Sequence, residues 1–472
     1  MSTPLHEILS QLDDSLVVAQ GSVKVTNPAR FRAVVHKLAK LSALGSGQTQ
    51  GLARYLTRSA ALQLGIYPAS INPLYMARGR GEIPFTFTTP AFNLRVLSFD
   101  AARAMFRAAQ ALNAGPFIFE IARSEIGYTD QRPSEYATSV LAAAISEGYK
   151  GPVFIQGDHF QVSAKRYNGD PQIEVETLRG LIREAISAGF YNIDVDTSTM
   201  VDLNQPTVAG QQVLNNQLSA IFTTYIRSVQ PRGVDISIGG EIGEVGGHNS
   251  TEEELRAYLD GFLAELNNQI TGIAGLSKIS IQTGTHHGGV VLPDGSIAQV
   301  NVDFDTMLKL SRIARQQYGL AGAVQHGAST LPEDAFGKFV EAETCEVHLA
   351  TNFMNMFFDM IPDTLRKDIY AYIDAKYAGE RQPDMTDEQF YYKNRKSVVG
   401  QFKAASWELD AEIKARISQA WEGQFKQLFH LLGLENTRRY VDTIIQPVEI
   451  KPDLKYYLGE AAGIEDVSDL AD

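Results

Sequence analysis

The sequence predicts an α/β fold: a closed (β/α)8 TIM barrel with helical extensions at both ends. Three observations carry this. Eight short apolar runs alternate with amphipathic helical segments between residues 84 and 352, the texture of a parallel sheet. Several runs stop at a glycine followed by polar residues, as buried parallel strands do when their C-terminal ends carry chemistry. A doubly wound open sheet often shows a Gly-x-Gly-x-x-Gly turn after its first strand, and none follows the first run.

Residues 1–82 read as a helical extension, with Leu5, Ile8, Leu9 and Leu12, then Val34, Val35, Leu38 and Leu41, at helical spacing. The segment has no chemical motif and reads as a structural or interface element. Residues 83–360 hold the eight runs: Pro84–Asn93, Pro116–Arg123, Pro152–His159, Asn192–Ser198, Val234–Glu241, Lys278–His287, Gly322–Ser329 and Cys345–Asn352. Segments such as Ala101–Asn113, Glu174–Ser187 and Asp303–Tyr318 supply the intervening helices. Residues 361–472 turn helical again. Leu409, Ile413, Ile417, Trp421, Phe425 and Leu428 mark a helix within Trp407–Leu432, and the polar stretch Gly379–Thr386 reads as a loop.

Composition narrows the function. The chain has 472 residues, 44% hydrophobic and 21% charged, enough for a large core. The net charge of −13, spread along the chain with no basic run, argues against nucleic acid as a partner. The single Cys345 excludes an intramolecular disulfide framework and fits a reducing, cytoplasmic setting. No apolar run approaches the roughly 18 residues that a membrane span needs. The N-terminus lacks a basic-then-apolar leader pattern, and Asp13-Asp14 would spoil one.

The chemistry gathers at run ends. His159, His287 and His326 each close a run beside glycine. Three such histidines at one barrel mouth suit a metal with three protein ligands and an open position. His286 competes with His287, since adjacent strand residues face opposite sides. His248, in a glycine-rich loop, is a weaker candidate, and His6, His36 and His430 read as surface or satisfied helical residues. Asp158, next to a ligand candidate, fits a fourth ligand, an orienting carboxylate, a general base or a strand-end cap. Glu241 and Glu244 lie in a glycine-rich stretch able to close over a site, and Glu244 is a catalytic candidate. Gly288-Gly289, Gly327-Ala328-Ser329 and Ala350-Thr351 follow the last three runs, where small residues let backbone amides approach a phosphate.

These motifs together resemble the class II, metal-dependent fructose-bisphosphate aldolase family, which includes tagatose-bisphosphate aldolases. They are Ala91-Phe92-Asn93, Gly157-Asp158-His159, Glu241-Ile242-Gly243-Glu244-Val245-Gly246-Gly247, Thr285-His286-His287-Gly288, His326-Gly327-Ala328-Ser329 and Leu349-Ala350-Thr351, in the family's order over residues 84–360. The resemblance implies zinc on His159, His287 and His326, with Glu241 serving a displaced metal position; cobalt, iron and manganese are alternatives. It implies Asp158 as the acid/base on the hydroxyl of the aldehyde-derived carbon. Gly288, Gly327, Ser329 and Thr351 would hold the phosphate of dihydroxyacetone phosphate, with Asn93 near the substrate hydroxyls. It also implies a homo-oligomer, a dimer or tetramer, and in some members a monovalent cation near the phosphate.

The chain departs from the family in places. His348 stands where the family usually has a substrate-holding asparagine, so it is a substrate-binding candidate with consequences for specificity. His248-Asn249-Ser250 replace an acidic pair. The insert from Phe160 to Asp170 carries Lys165 and Arg166, which read as solvated cations rather than phosphate ligands. Lys396 and Lys403 lie where some relatives supply a cation to the distal phosphate. The expected reaction is reversible cleavage of fructose 1,6-bisphosphate to dihydroxyacetone phosphate and glyceraldehyde 3-phosphate. Tagatose 1,6-bisphosphate or another 1-phosphorylated ketose is the alternative substrate. A metal-dependent barrel hydrolase and a non-catalytic accessory subunit are the rival classes.

Overall fold

The computed structural model describes residues 3–19, 21–243, 248–284, 292 and 301–459. Three strands precede the barrel: β1 (Leu16–Ala19) and β2 (Ser22–Val25) form an antiparallel hairpin, and β3 (Ile66–Ala69) joins the main sheet. The barrel strands are β4 (Thr89–Asn93), β5 (Ile118–Ala122), β6 (Gly151–Gln161), β7 (Asn192–Asp196), β8 (Ser237–Glu241), β9 (Lys278–Ser280), β10 (Ala323–Gln325) and β11 (Glu346–Leu349). Each pairs in parallel with its neighbours, and β11 returns to β4, closing the barrel. The eight runs read from the sequence therefore are the eight barrel strands.

The first 82 residues are not purely helical. Apart from the hairpin, β3 pairs with the N-terminal half of β6, from Ile66 opposite Gly151 to Ala69 opposite Phe154. The C-terminal half of β6 then pairs with β7, beginning at Gln156 opposite Asn192. The unusual length of β6 allows both pairings. Asn192 locks the junction: its Oδ1 accepts from Ile71 N at 2.8 Å, and its Nδ2 donates to Ala69 O at 3.2 Å and Ile155 O at 3.0 Å. A strand this short lacks the alternation that would distinguish it within a helical stretch.

The helix Gly47–Gln63 packs on the barrel's helical layer through buried arginines. Arg54 Nη1 donates to Ser134 Oγ at 2.9 Å, and Arg58 reaches Ala188 O and Tyr191 Oη. At the other end, the helix Ala411–Leu431 buries Ile417, Trp421, Phe425, Leu428 and Phe429. Phe425 stacks on Phe353 at 4.5 Å and meets the edge of Phe92 at 5.0 Å. Successive strand residues face opposite sides, so the same strand end that sends Phe92 into this helical layer turns Asn93 toward the barrel mouth. Both extensions are thereby part of the continuous core.

Asn192→Ala removes three buried hydrogen bonds and leaves their backbone partners unpaired, which costs about 1–3 kcal/mol. A lower urea midpoint with a native circular dichroism spectrum at zero urea is the expected result. An unchanged midpoint would mean that β3 is held by its ladder alone.

Candidate active site

β6 places the first functional pair. Its register against β7 shifts between Gly157 and Phe160, and His159 inside this bulge has a left-handed backbone, φ +39°. Such strain in a non-glycine residue persists only where its surroundings enforce it, and a bulge re-aims a side chain. Gly157 is needed beside it, because a Cβ there would lie 2.5 Å from the Phe160 ring. The bulge turns His159 toward the mouth, where Asp196 Oδ2 meets its Nδ1 at 2.9 Å. Asp196 is itself held by Gln161 Nε2 at 2.8 Å and by Ser198 N and Oγ at 3.0 and 2.6 Å. A carboxylate behind a histidine in this way fixes the ring for metal ligation.

Asp158 is buried at the centre. Asn93 Nδ2 donates to its Oδ2 at 2.9 Å and also to Glu125 Oε2 at 2.9 Å. Its other oxygen, Oδ1, is buried with no hydrogen-bond partner among the described residues. Three imidazoles surround that oxygen: His348 Nδ1 at 3.3 Å, His159 Nε2 at 3.9 Å and His326 Nδ1 at 3.9 Å. The His326 ring lies 4.3 Å from that of His159 and 3.9 Å from that of His348. Glu241, ending β8, approaches His326 Nε2 to 3.6 Å. Burial alone would raise the Asp158 carboxyl, but the imidazoles of His159, His348 and His326 outweigh it and hold the group well below the carboxylate range. Burial pushes Glu241 up to about 7.

Beneath the mouth the barrel interior is charged. Lys278 Nζ binds Gln156 Oε1 at 2.9 Å, Asp194 Oδ1 at 2.8 Å and Glu346 Oε1. Gln156 Nε2 donates to Glu120 Oε2 at 2.8 Å and Glu346 Oε1 at 3.0 Å, and Tyr75 Oη donates to Glu346. Gly239 makes room for this cluster, since a Cβ there would lie 2.2 Å from Asp194 Oδ1. Burial and the nearby Asp158 carboxylate push Glu120 up to about 8; Lys278 overcomes burial at Glu346 and lowers it. Neighbouring carboxylates with separated affinities for protons are what acid–base sites use.

The end of β10 meets the end of β11 beside this cluster. Gly327 is left-handed, φ +68°, and Ser329 Oγ accepts from Ala350 N at 2.5 Å and Thr351 N at 3.2 Å. This is the N-terminus of the helix Thr351–Met360, where backbone amides and the helix dipole suit an anion.

Thus Asn93, Asp158, His159, Glu241, His326 and His348 come together at one mouth, with Gly327, Ser329, Ala350 and Thr351 at its edge. Glu244, His286, His287, Gly288 and Gly289 lie outside the described residues. His6, His36, His248 and His430 are exposed, as is Lys165. Lys403 is turned away from the mouth, binding Glu135 Oε2 at 3.1 Å, whereas Lys396 lies near Arg95 and Glu125. The sequence reading missed Asp196, Glu120, Asp194, Lys278 and Glu346. The signal was present: Asn192, Asp194 and Asp196 alternate with Ile193 and Val195, which puts three polar side chains on the inner face of one strand.

The donors fit a divalent metal. Imidazole and carboxylate groups are the ligands such ions take, and the unpartnered Asp158 Oδ1 points into the group. Asp158, His326 and His348 offer ligand atoms all within 4.8 Å of one another. The family model for class-II fructose-bisphosphate aldolases matches residues 86–419. The chain belongs to this family. Class II aldolases are metal-dependent aldehyde-lyases that act on phosphorylated sugars, and by membership this chain is an enzyme of that class.

Solved structures resemble the chain at low identity. The fructuronate–tagaturonate epimerase UxaE from Cohnella laeviribosi is 13% identical, with 90% of each chain covered and a TM-score of 0.53. The YdjI aldolase from Escherichia coli K12 is 12% identical over 78% of this chain and 99% of its own, TM-score 0.47. A fructose-bisphosphate aldolase from Campylobacter jejuni is 14% identical over 79% of this chain and 96% of its own, TM-score 0.44. No curated protein matches the chain. No helix among the described residues is long and apolar enough to cross a membrane.

Lys278→Met would leave Asp194 and Glu346 as uncompensated buried carboxylates, a loss of about 3–5 kcal/mol. Urea unfolding should show it as a large fall in midpoint. A loss below about 1 kcal/mol would mean that these carboxyls take up protons without strain.

Proposed function

We propose that this aldolase cleaves a ketose bisphosphate between C3 and C4. The preferred substrate is fructose 1,6-bisphosphate, giving dihydroxyacetone phosphate and glyceraldehyde 3-phosphate; tagatose 1,6-bisphosphate or another 1-phosphorylated ketose is second. The reading rests above all on Asp158, a buried carboxylate ringed by His159, His326 and His348 and held by Asn93 beside a helix N-terminus. Zinc is the proposed metal, on His159, His326 and Glu241 together with His287. Bound there, it supplies a Lewis acid that stabilises charge developing on the substrate's ketose oxygens.

The chain's own groups do the rest. Asp158, ionised at neutral pH, accepts the C4 hydroxyl proton, and Asn93 fixes the carboxylate for that transfer. Gly327, Ser329, Ala350 and Thr351, with Gly288, cradle the C1 phosphate, and a monovalent cation beside it would lower the charge there. Glu244 serves the proton transfer at the aldol carbon. The half-buried Lys396, beside the Arg95–Glu125 ion pair, offers a cation for the distal anion, a role that the ion pair of Lys403 with Glu135 leaves to Lys396. The protein works in the cytoplasm as a homo-oligomer, a dimer or tetramer, in carbohydrate metabolism.

A second reading is a sugar-acid epimerase, in which the aldehyde turns its other face before carbon–carbon bonding resumes. Its support is the UxaE likeness, which extends over 90% of both chains. Lys396 would then hold a carboxylate.

Coupled detection of dihydroxyacetone phosphate from fructose 1,6-bisphosphate tests the first reading. Activity should vanish with chelator and return with zinc. A metal-loaded protein that releases no triose phosphate but inverts a uronate would favour the second.

Lys396 adds a pH signature. Burial, then the Arg95 cation, lowers it to about 8. It is charged below that pH and neutral above, so KM for a bisphosphate should rise as pH climbs through about 8. Lys396→Met should raise KM by about 10- to 100-fold at pH 7, the 1.5–3 kcal/mol of a hydrogen bond to a charged group. An unchanged KM would remove Lys396 from substrate binding.

A further inference from the structure

The geometry points to His348 as a ligand of the metal centre rather than a residue that holds substrate. The inference rests on the metal dependence of the family and adds a donor to the inner side of the mouth. His348 sits on β11, 4% exposed, with Nε2 2.7 Å from Glu346 Oε1. A carboxylate can only accept there, so Nε2 carries a proton and Nδ1 is the nitrogen that a metal could take in place of a second proton.

That nitrogen faces Glu120 Oε1 at 3.0 Å and Asp158 Oδ1 at 3.3 Å. Neither contact is aligned as a hydrogen bond: Glu120 Oε1, Asp158 Oδ1 and His348 Nδ1 are all buried and without hydrogen-bond partners among the described residues. Asp158 Oδ1 and His348 Nδ1, buried side by side without such partners, are costly unless a cation stands between them. His326 adds a third donor, its Nδ1 3.9 Å from Asp158 Oδ1, and ligand atoms of Asp158, His326 and His348 all lie within 4.8 Å of one another. Ligands about 2.1 Å from a tetrahedral ion lie about 3.4 Å apart, a spacing that His348 Nδ1 and Asp158 Oδ1 already match at 3.3 Å. Glu346 behind His348 repeats the arrangement of Asp196 behind His159, a carboxylate that sets tautomer and ring orientation. Asp158 Oδ2, bound by Asn93, stays available to accept a proton.

The competing state is a proton on Nδ1, which makes His348 an imidazolium packed between carboxylates. The two differ in metal affinity. Competition titrations with zinc, and visible spectra of the cobalt(II) form, would be recorded for wild type, His348→Asn and His348→Gln, with circular dichroism to confirm folding. As a ligand, His348 should weaken metal binding on substitution by more than about 100-fold, beyond the 10- to 100-fold that loss of an outer-shell partner brings. The cobalt bands should also shift. Affinity within that lesser range and an unchanged cobalt spectrum in either folded variant would overturn the assignment while leaving the metal centre intact. A wild type that binds no metal would overturn the metal-centre reading itself. If neither variant folds, the ¹⁵N resonances of the His348 ring in wild type decide: Nδ1 must shift as a coordinated nitrogen when zinc is added, and no shift refutes the assignment.

Discussion

The barrel interior is held by an ion-pair network rather than by the usual apolar layers. Lys278 binds Asp194, Glu346 and Gln156, and Gln156 ties in Glu120. Isolated buried charges cost several kcal/mol each, so such a cluster survives only when every member finds a partner. The mouth inherits its geometry from this floor. Glu346 orients His348 from below, the tilted rings of His348 and His326 lie against each other, and both confine Asp158. The working carboxylate is therefore set by the core, not by a loop.

The outer parts serve the same end. The bulge in β6 turns His159 inward and brings it onto Asp196. β3 wedges beside the N-terminal half of β6 and fixes where that strand begins, so the position of its far end is set by pairing on both halves. The helix Ala411–Leu431 packs Phe425 against Phe92, and the next residue, Asn93, holds Asp158. Residues far apart in the chain thus act on one side chain through rigid contacts, as a preorganised site requires.

Much of this was legible in the sequence. Strand–helix alternation located all eight barrel strands, because buried parallel strands are apolar runs with sharp polar ends. The same ends located Asp158, His159 and His326, and family motifs added Asn93, Glu241 and the Ser329 cradle. What escaped has physical reasons. β3 is four residues long and lies between helices, too short to show a period. Glu120, Asp194, Lys278 and Glu346 lie inside apolar runs, where a lone charge reads as an edge or an exception until closure brings the four together. The partnership of His159 with Asp196 depends on a bulge that no residue pattern announces. His348 was legible as a departure from the family but not as a neighbour of Glu120 and Glu346.

The central claim is that this site stabilises a carbanion next to a ketone carbonyl. Hydrogen exchange tests it without any need for the aldehyde half of the reaction. Incubated with dihydroxyacetone phosphate in D₂O and followed by proton NMR, the metal-loaded enzyme should wash out one hydrogen from the carbon that cleavage would leave as a carbanion. Chelation should stop the exchange. Full metal loading with both hydrogens retained would contradict the account, since an aldolase that cannot form the carbanion cannot cleave the bond.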